Sequence, residues 1–183
     1  TDIYSVPSAG GEMKKLTSSD GAYYNQRWFP DGSKIGFISD KSGSSQLWEM
    51  NPDGSLQTQV SDIDGGINGF EYSPDGKHVL FLKDVKLDKT PQEIYPDIPL
   101  VNVRIIDDLM YRHWNSWHDY SYSHIFVSEY GTLIREATDI MKDEPWDAPL
   151  SPYFDQSEIT WSPDGNFIAY TCKKMKGNIH FFF

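Results

Sequence analysis

The sequence predicts an all-β fold, namely part of a β-propeller with about three blades of four-stranded antiparallel sheet and one long insertion. A hairpin motif with a Pro-Asp-Gly turn occurs three times, at Pro30–Gly32, Pro74–Gly76 and Pro163–Gly165. The first two turns are 44 residues apart, and the third follows 89 residues later, close to twice that period. A unit of roughly 40–45 residues is typical of a propeller blade. We therefore expect residues 1–183 to form one partial propeller domain.

The Pro-Asp-Gly turns have a conformational role. Proline presets φ for the second position of a type I turn, and aspartate bonds to nearby backbone N–H groups. Glycine supplies the left-handed residue that closes the hairpin. We therefore interpret the aspartates and glycines of these turns as turn formers without a catalytic role.

The strand after the third turn has apolar groups on both faces. Phe167 and Ala169 share one face, and Ile168 and Tyr170 share the other. This pattern predicts a strand that is buried between two layers.

A second strand-and-turn element repeats in step with the hairpins. Residues Asp2–Val6 precede a glycine-rich turn at Pro7–Gly11, and Gln46–Met50 precede a similar turn at Asn51–Ser55. The spacing between these two elements is again 44 residues. Each unit thus contains four antiparallel strands. Because one small sheet cannot bury both of its faces alone, we expect the units to stack.

The regular pattern is interrupted by an insertion at residues 84–122. Three prolines, Pro91, Pro96 and Pro99, predict an extended loop in its first half. Its second half, Arg104–Tyr120, is predicted to be either a short helix or an irregular, aromatic-rich arm. A loop of this length in a compact domain is usually functional.

Strand patterns return after the insertion at His124–Val127 and Leu133–Ala137, with a turn near Gly131 between them. The length of this region would also allow a complete additional blade. We favour a single blade that carries the insertion between its second and third strands, because the insertion lacks alternating strands and a Pro-Asp-Gly hairpin.

The composition limits the classes of partner. The formal net charge is −11 at pH 7, whereas nucleic acids and anionic membrane surfaces require clustered Lys and Arg, so neither is an expected partner. No apolar stretch is long enough for a membrane span, and no signal peptide is recognisable. The chain opens within a strand pattern, which indicates a removed leader or a piece of a longer protein. The single cysteine, Cys172, is predicted to be a packed thiol, and no cofactor is expected.

Several segments carry a more specific signal. They are Arg104–Trp117, Ser123–Val127, Glu144–Pro149, Trp161–Gly165 and Ala169–Lys174. Together they resemble the N-terminal propeller of bacterial serine peptidases of the prolyl oligopeptidase family, in the branch of dipeptidyl peptidases and acylaminoacyl peptidases. The resemblance covers most of the chain. The Pro-Asp-Gly hairpins alone are also similar to TolB-type propellers.

The resemblance implies a propeller that lies over a separate α/β-hydrolase domain and restricts access to short peptides, in a periplasmic protein. The catalytic Ser, Asp and His would belong to the hydrolase domain. No G-x-S-x-G nucleophile elbow occurs in the 183 residues, so we assign no catalytic residue and expect this chain to be inactive alone. The expected partners are that hydrolase domain and short peptide substrates. A piece of a propeller would also expose sheet edges that favour self-association.

Seven residues are candidates for gating or binding a substrate: Arg104, Arg112, His113, Trp114, Trp117, Asp143 and Glu144. The resemblance implies that the acidic pair could bind the free α-amine of a peptide, and the alternative is a solvated loop. The two arginines could bind a substrate carboxylate. We favour local pairing of these arginines with Asp107 and Asp108.

The histidines of this region are candidate metal ligands. His113, His118, Asp119 and His124 are close in sequence, but His118 and His124 are six residues apart. That spacing differs from the i, i+4 spacing of helical zinc pairs, and no matching glutamate motif occurs. We therefore predict no metal site and interpret the segment as an aromatic packing arm.

A second interpretation belongs to a different functional class. A TolB-like propeller without catalytic activity would act as a scaffold that docks a protein partner through its loops. The parent gene beyond residue 183 discriminates between the two. A hydrolase domain would support the peptidase, and further blades followed by a stop would support the scaffold.

Overall fold

The computed structural model describes residues 1–18, 21–106, 112–113, 116–149 and 156–174. Its secondary structure is almost entirely β-strand, with one α-helix, α1 (Pro91–Ile94), and a 3₁₀ turn at Gln156–Glu158. The strands in chain order are β1 (Tyr4–Ser5), β2 (Lys14–Lys15), β3 (Tyr23–Trp28), β4 (Ile35–Ser39), β5 (Gln46–Met50), β6 (Thr58–Gln59), β7 (Gly69–Tyr72), β8 (His78–Lys86), β9 (Arg112–His113), β10 (Ser116–Trp117), β11 (Ser121–Glu129), β12 (Thr138–Asp139), β13 (Ile159–Trp161) and β14 (Ile168–Tyr170). No helix among the described residues is long and apolar enough to span a membrane.

Two four-stranded antiparallel sheets form the centre of the described chain. Sheet one has the order β3-β4-β5-β6, and sheet two has the order β7-β8-β11-β12. In both sheets each strand pairs with the next strand of that sheet along the chain. Three two-stranded pairs accompany them: β1–β2, β9–β10 and β13–β14. The predicted all-β class with four-stranded antiparallel sheets is therefore confirmed.

The Pro-Asp-Gly turns join β3 to β4, β7 to β8 and β13 to β14. In the last of these turns Gly165 has φ of 72°, and its N–H donates to Ser162 O at 2.8 Å. The Asp164 carboxylate accepts hydrogen bonds from Ser162 Oγ and from Asn166. These bonds lower the pKa of Asp164 to about 2. The hydrogen-bond partners of this aspartate are thus residues of the same turn, as expected for a turn former.

The sheets bury both of their faces because alternate residues point to opposite sides. In β8, Val79 and Phe81 pack in the cluster shared with sheet one, whereas Leu80 and Leu82 pack toward the β13–β14 hairpin. Burial of each such side chain stabilises the fold by roughly 1.5–3 kcal/mol. A third cluster joins sheet one to the β1–β2 pair and includes Phe37 of β4. The four layers are therefore stacked face to face.

The third hairpin differs from its prediction. Its residues Ile159 and Trp161 are buried, and Ile168 and Tyr170 are half-buried against sheet two. Phe167 on the opposite face is 73% exposed. Among the described residues, only one face of this hairpin packs against another layer, so the predicted burial on both faces is not observed there.

The predicted strand at Leu133–Ala137 is also wrong. Within this range Ile134 forms an isolated parallel bridge with Ser61, two residues after β6 of sheet one, and the strand that completes sheet two is β12, at Thr138–Asp139. Ile134 N donates to Val60 O at 2.9 Å, and Asp62 N donates to Ile134 O at 2.8 Å. The apolar pattern marks a connection between sheets rather than a strand within one.

The insertion leaves sheet two between β8 and β11. These strands pair over nine residues, from Lys86 with Ser121 to His78 with Glu129. Sheet two therefore carries the insertion between its second and third strands, and in the described part of the insertion the strands β9 and β10 pair only with each other. Residues 84–86 and 121–122, which were predicted to belong to the insertion, are strand residues, so the insertion spans 87–120.

The first half of the insertion contains a short helix where an extended loop was predicted. Helix α1 begins at Pro91, whose fixed φ suits the first helical turn. Thr90 Oγ1 accepts a hydrogen bond from Glu93 N at 3.3 Å, and Glu93 Oε2 accepts one from Thr90 N at 2.7 Å. The Thr-x-x-Glu pattern of this capping box is present in the sequence at Thr90–Glu93, but the prediction rested on the prolines alone.

The second half of the insertion contains the antiparallel pair β9–β10. Of the two predicted alternatives, the described part agrees with an arm rather than a helix. Residues 107–111 and 114–115 of the range Arg104–Tyr120 lie outside the described residues.

Candidate functional site at the root of the insertion

The candidate gating residues fall into two groups, five in the insertion and two, Asp143 and Glu144, in the loop after β12. The Arg104 guanidinium lies 4.8 Å from the centroid of the Trp117 ring, a cation–π contact. Arg112 and His113 form strand β9, which pairs with the strand of Trp117. Their side chains, and Trp114, lie outside the described part. The predicted pairing of the arginines with Asp107 and Asp108 also falls on residues that are not described.

The two ends of the insertion are tied together by one carboxylate. Asp88 Oδ2 accepts a hydrogen bond from Tyr122 Oη at 2.7 Å and lies 3.1 Å from His118 Nε2. The His118 ring packs on the Tyr122 ring with centroids 5.1 Å apart. Burial and the bond to Asp88 raise the pKa of Tyr122. These contacts hold the two ends of the insertion together at its root.

The segment 139–148 lies beside this root and is bound to β11 by hydrogen bonds. His124 is fully buried, and its Nδ1 lies 2.8 Å from Asp139 Oδ2. Its Nε2 lies 2.9 Å from Glu144 O and donates there, because a carbonyl oxygen can only accept. Ser123 N donates to Asp147 Oδ1 at 2.8 Å. These contacts fix the backbone of the segment that carries Glu144.

The Glu144 carboxylate is held between an indole and an ammonium. Trp146 Nε1 donates to Glu144 Oε2 at 2.5 Å, and Lys174 Nζ lies 3.0 Å from Oε1. The bonds from Trp146 and Lys174 lower the pKa of Glu144. Asp143 precedes it with φ of 66° and an exposed side chain. The acidic pair is therefore a loop in which Glu144 already binds a cation of the same chain.

Sequence reasoning did not find Trp146 and Lys174 as neighbours of Glu144. Trp146 is two residues away and is visible in the Glu-Pro-Trp run. Lys174 is 30 residues away in the chain, and no local pattern indicates that contact. The sequence analysis also did not identify Asp147 as a residue that binds this segment to β11. Its burial raises its pKa, and the hydrogen bond from Ser123 N opposes that shift.

The histidines have separate partners in the described chain. His118 pairs with Asp88, and His124 pairs with Asp139. Among the described residues, no group of three or more His, Cys, Asp or Glu side chains has metal-binding geometry. Cys172 is half-buried against the cluster between sheet two and the third hairpin, and burial raises the pKa of its thiol. That environment suits a packed thiol.

The chain is similar over nearly its full length to two curated peptidases. It is 42% identical over 177 residues to dipeptidyl-peptidase 5 of Porphyromonas gingivalis, covering 96% of this chain and 26% of that protein. It is 36% identical over 178 residues to dipeptidyl-peptidase 5 of Porphyromonas endodontalis, covering 97% of this chain and 26% of that protein. The chain thus spans about a quarter of the length of these relatives. No protein-family model matches it.

The fold is similar to a solved propeller protein. TolB from Acinetobacter baumannii matches with a TM-score of 0.54 at 17% sequence identity, over 91% of this chain and 31% of that one. At this identity the match concerns the fold alone. The resemblance to dipeptidyl peptidases, which the motifs of the sequence predicted, is confirmed, and the all-β fold is of the kind found in TolB.

Proposed function

We propose that this chain is the substrate-gating propeller part of a serine peptidase that cleaves short peptides. The observation that carries this proposal is the 42% identity to a dipeptidyl-peptidase 5 over 96% of the chain. Because the chain spans a quarter of that relative, the activity belongs to the whole protein and not to these residues. The absence of a nucleophile elbow from the 183 residues agrees with a non-catalytic role for this part.

The stacking of the sheets supports a partial propeller of about three blades. Equivalent turns of successive layers lie side by side. A Cβ at Gly76 would meet the Phe29 ring next to the first turn, and a Cβ at Gly165 would lie 3.9 Å from Asp75 and Pro74 of the second turn. A propeller consists of four-stranded sheets that stack in this way, with equivalent turns next to each other.

The insertion is the proposed gate. It is rooted in sheet two by the Asp88 contacts, and beyond this root it carries many exposed large apolar side chains. They are Ile94, Tyr95, Ile98, Leu100, Val101, Val103, Ile105 and Ile106. Contiguous exposed apolar residues mark contact sites. We propose that this segment packs against the hydrolase domain of the parent protein at the entrance to its cavity.

The test is a deletion of residues 91–117, bridged by a short Gly-Ser linker, in the full-length protein that contains this chain. Rates are measured on dipeptidyl substrates and on longer peptides. A control shortens the exposed β5–β6 turn at residues 52–55 with the same linker. A gate predicts a changed ratio between the two substrate sizes in the deletion only. An unchanged ratio in a folded variant contradicts gating, and a wild type without peptidase activity contradicts the proposed function.

The alternative function is a non-catalytic scaffold that docks a protein partner. The similarity of the fold to TolB favours it. The reading frame of the parent gene after residue 183 separates the two proposals. A hydrolase domain with a nucleophile elbow would support the peptidase, and further blades followed by a stop codon would support the scaffold.

A further inference from the structure

The imidazole ring of His124 is fully buried, and both of its nitrogens face oxygen atoms. Nδ1 lies 2.8 Å from Asp139 Oδ2 at the end of β12, and Nε2 lies 2.9 Å from the main-chain oxygen of Glu144. The other carboxyl oxygen, Asp139 Oδ1, accepts a hydrogen bond from Met141 N at 2.8 Å, which fixes the orientation of the carboxyl group. One ring therefore joins β11, the end of β12 and the middle of the segment 139–148.

These two contacts determine how many protons the pair carries. A carbonyl oxygen can only accept, so Nε2 must carry a hydrogen in order to bond to Glu144 O. In a neutral imidazole Nδ1 would then be an acceptor, and it would face the Asp139 carboxylate, which is also only an acceptor when ionised. Both contacts are hydrogen bonds only when one further proton lies between His124 and Asp139, on Nδ1 or on the carboxyl group. The pair therefore holds one proton more than a neutral histidine and an ionised aspartate.

The surrounding charges favour this additional proton. Asp139 contacts the ring directly, and the charges of Glu144 and Asp147 interact with it. The other charged and titratable groups nearby are Lys83 and Asp84 of β8, His118 of the insertion and Lys174, which follows β14. Carboxylates outnumber the lysines in this set, so the charge around the ring is negative.

The ends of the segment 139–148 are joined to β11 without this ring. Ile140 N donates to Ile125 O at 3.1 Å. At the other end, Ala148 N donates to Ser123 O at 2.9 Å. Between these two bonds, the contact of the ring with Glu144 O binds the middle of the segment to β11. Without the additional proton the ring cannot donate to both oxygens, and two acceptors would face each other at hydrogen-bond distance, which is repulsive.

We propose that the His124–Asp139 pair is a pH-dependent switch of the segment 139–148. With the additional proton bound, the pair holds the middle of the segment against β11, and loss of this proton releases it. Because the closed segment binds one proton more than the open one, closure is favoured at low pH and weakens as the pH rises. The switch does not depend on peptidase activity, since it consists only of contacts within this chain.

The substitution Asp139→Asn distinguishes the switch from a purely structural ion pair. The new amide oxygen can accept from Met141 N, and the new NH₂ group can donate to Nδ1 of a neutral His124. Nε2 then still donates to Glu144 O, so both contacts persist without the additional proton. The switch therefore predicts a segment that stays closed at every pH in this variant. A structural ion pair predicts a segment that is loosened at every pH.

Hydrogen–deuterium exchange with mass spectrometry on the full-length protein that contains this chain measures the closure, from about pH 6 to about pH 9. Rates are divided by those of the unfolded chain at the same pH. In wild type, peptides within 140–148 should lose protection by about tenfold over this range, and in Asp139→Asn by about twofold at most. Asp143→Asn removes an exposed carboxylate of the same segment and should behave as wild type. Peptides from β8 and β11 report whether each variant is folded.

A second variant, His124→Gln, keeps the test decisive if Asp139→Asn does not fold. The glutamine amide can donate to Glu144 O at any pH, so protection of the segment should again be independent of pH. Protection that does not change with pH in wild type overturns the proposal. The wild-type pH dependence in a folded Asp139→Asn or His124→Gln variant overturns it as well, because the dependence would then come from another group.

Discussion

The Tyr72 hydroxyl of sheet two donates a hydrogen bond of 2.8 Å to Glu49 Oε1 of sheet one. Tyr130 Oη donates to the same carboxylate at 2.7 Å, and Lys34 Nζ lies 2.9 Å from Oε2. The Glu49 side chain is only 5% exposed. A buried carboxylate with three donors is thus a polar link between the two sheets.

Removal of this carboxylate should destabilise the fold strongly. We expect Glu49→Ala to lower the free energy of unfolding by about 3 kcal/mol, because it leaves the Tyr72 and Tyr130 hydroxyls without their acceptor and removes the charge partner of Lys34. Glu49→Gln keeps one acceptor oxygen and should cost less. Urea unfolding measures both variants, with the exposed Glu12→Gln as the control. A loss within 0.5 kcal/mol for Glu49→Ala would show that the link contributes little.

A second prediction concerns a close approach between the two sheets, at Gly36. Gly36 of β4 lies directly under the Tyr72 ring, and a Cβ at this position would overlap with Tyr72 Oη and lie 2.9 Å from Cζ. Gly36→Ala should therefore lower the free energy of unfolding by roughly 1–3 kcal/mol through overpacking. Gly131→Ala is the matched control, since nothing lies within 4 Å of its Cβ. Equal midpoints of thermal unfolding for the two variants would contradict this packing.

The same cluster predicts a loss of stability at alkaline pH. Burial and the neighbouring Glu49 raise the pKa of Tyr72, and the hydrogen bonds to Tyr130 and Glu49 raise the pKa of Lys34. The folded protein therefore holds protons that the unfolded chain releases at pH values near 10. The contribution of these groups is complete below that pH and is lost as the pH rises above it. Unfolding free energies between pH 8 and pH 11 should fall less steeply for Tyr72→Phe than for wild type, and equal slopes would refute the assignment.

Features of the fold that depend on neighbouring residues could be predicted from the sequence. The Pro-Asp-Gly turns are determined by the conformational preferences of three adjacent residues, and the pairing of β8 with β11 followed from the missing strand pattern between them. The boundary of the insertion was misplaced because Val85 is the only apolar residue of Asp84–Lys86, yet these residues continue the β8 ladder with β11. Helix α1 was not predicted, because the three prolines were interpreted as the sign of an extended loop and the capping box was not used.

Contacts between distant parts of the chain could not be predicted in the same way. The contact of Glu49 with Tyr130 joins residues 81 positions apart, and that of Lys174 with Glu144 joins residues 30 positions apart. Their geometry depends on how the sheets stack, which no local pattern encodes. The exposure of Phe167 has the same origin, because the apolar pattern of β14 does not say which face meets sheet two.

The contacts at the root of the insertion lead to the last prediction, which concerns substrate size. Asp88 accepts from Tyr122 Oη at 2.7 Å and lies 3.1 Å from His118 Nε2, so one carboxylate holds both ends of the arm. In the full-length protein, Asp88→Ala should loosen the arm and raise the rate on longer peptides relative to dipeptidyl substrates by roughly fivefold. The rate on dipeptidyl substrates should stay close to wild type, because no reacting group is touched.

The control for this prediction is Asp97→Ala, which removes the same charge from an exposed position of the same insertion. It should leave the ratio of the two rates unchanged, so that a general charge effect can be separated from the loss of the anchor. Limited proteolysis provides a second measurement, since a loosened arm should be cut within residues 94–106 faster in Asp88→Ala than in Asp97→Ala. If cleavage accelerates while the rate ratio is unchanged, the arm is anchored by Asp88 but does not select substrates by size. If neither changes, Asp88 does not hold the arm.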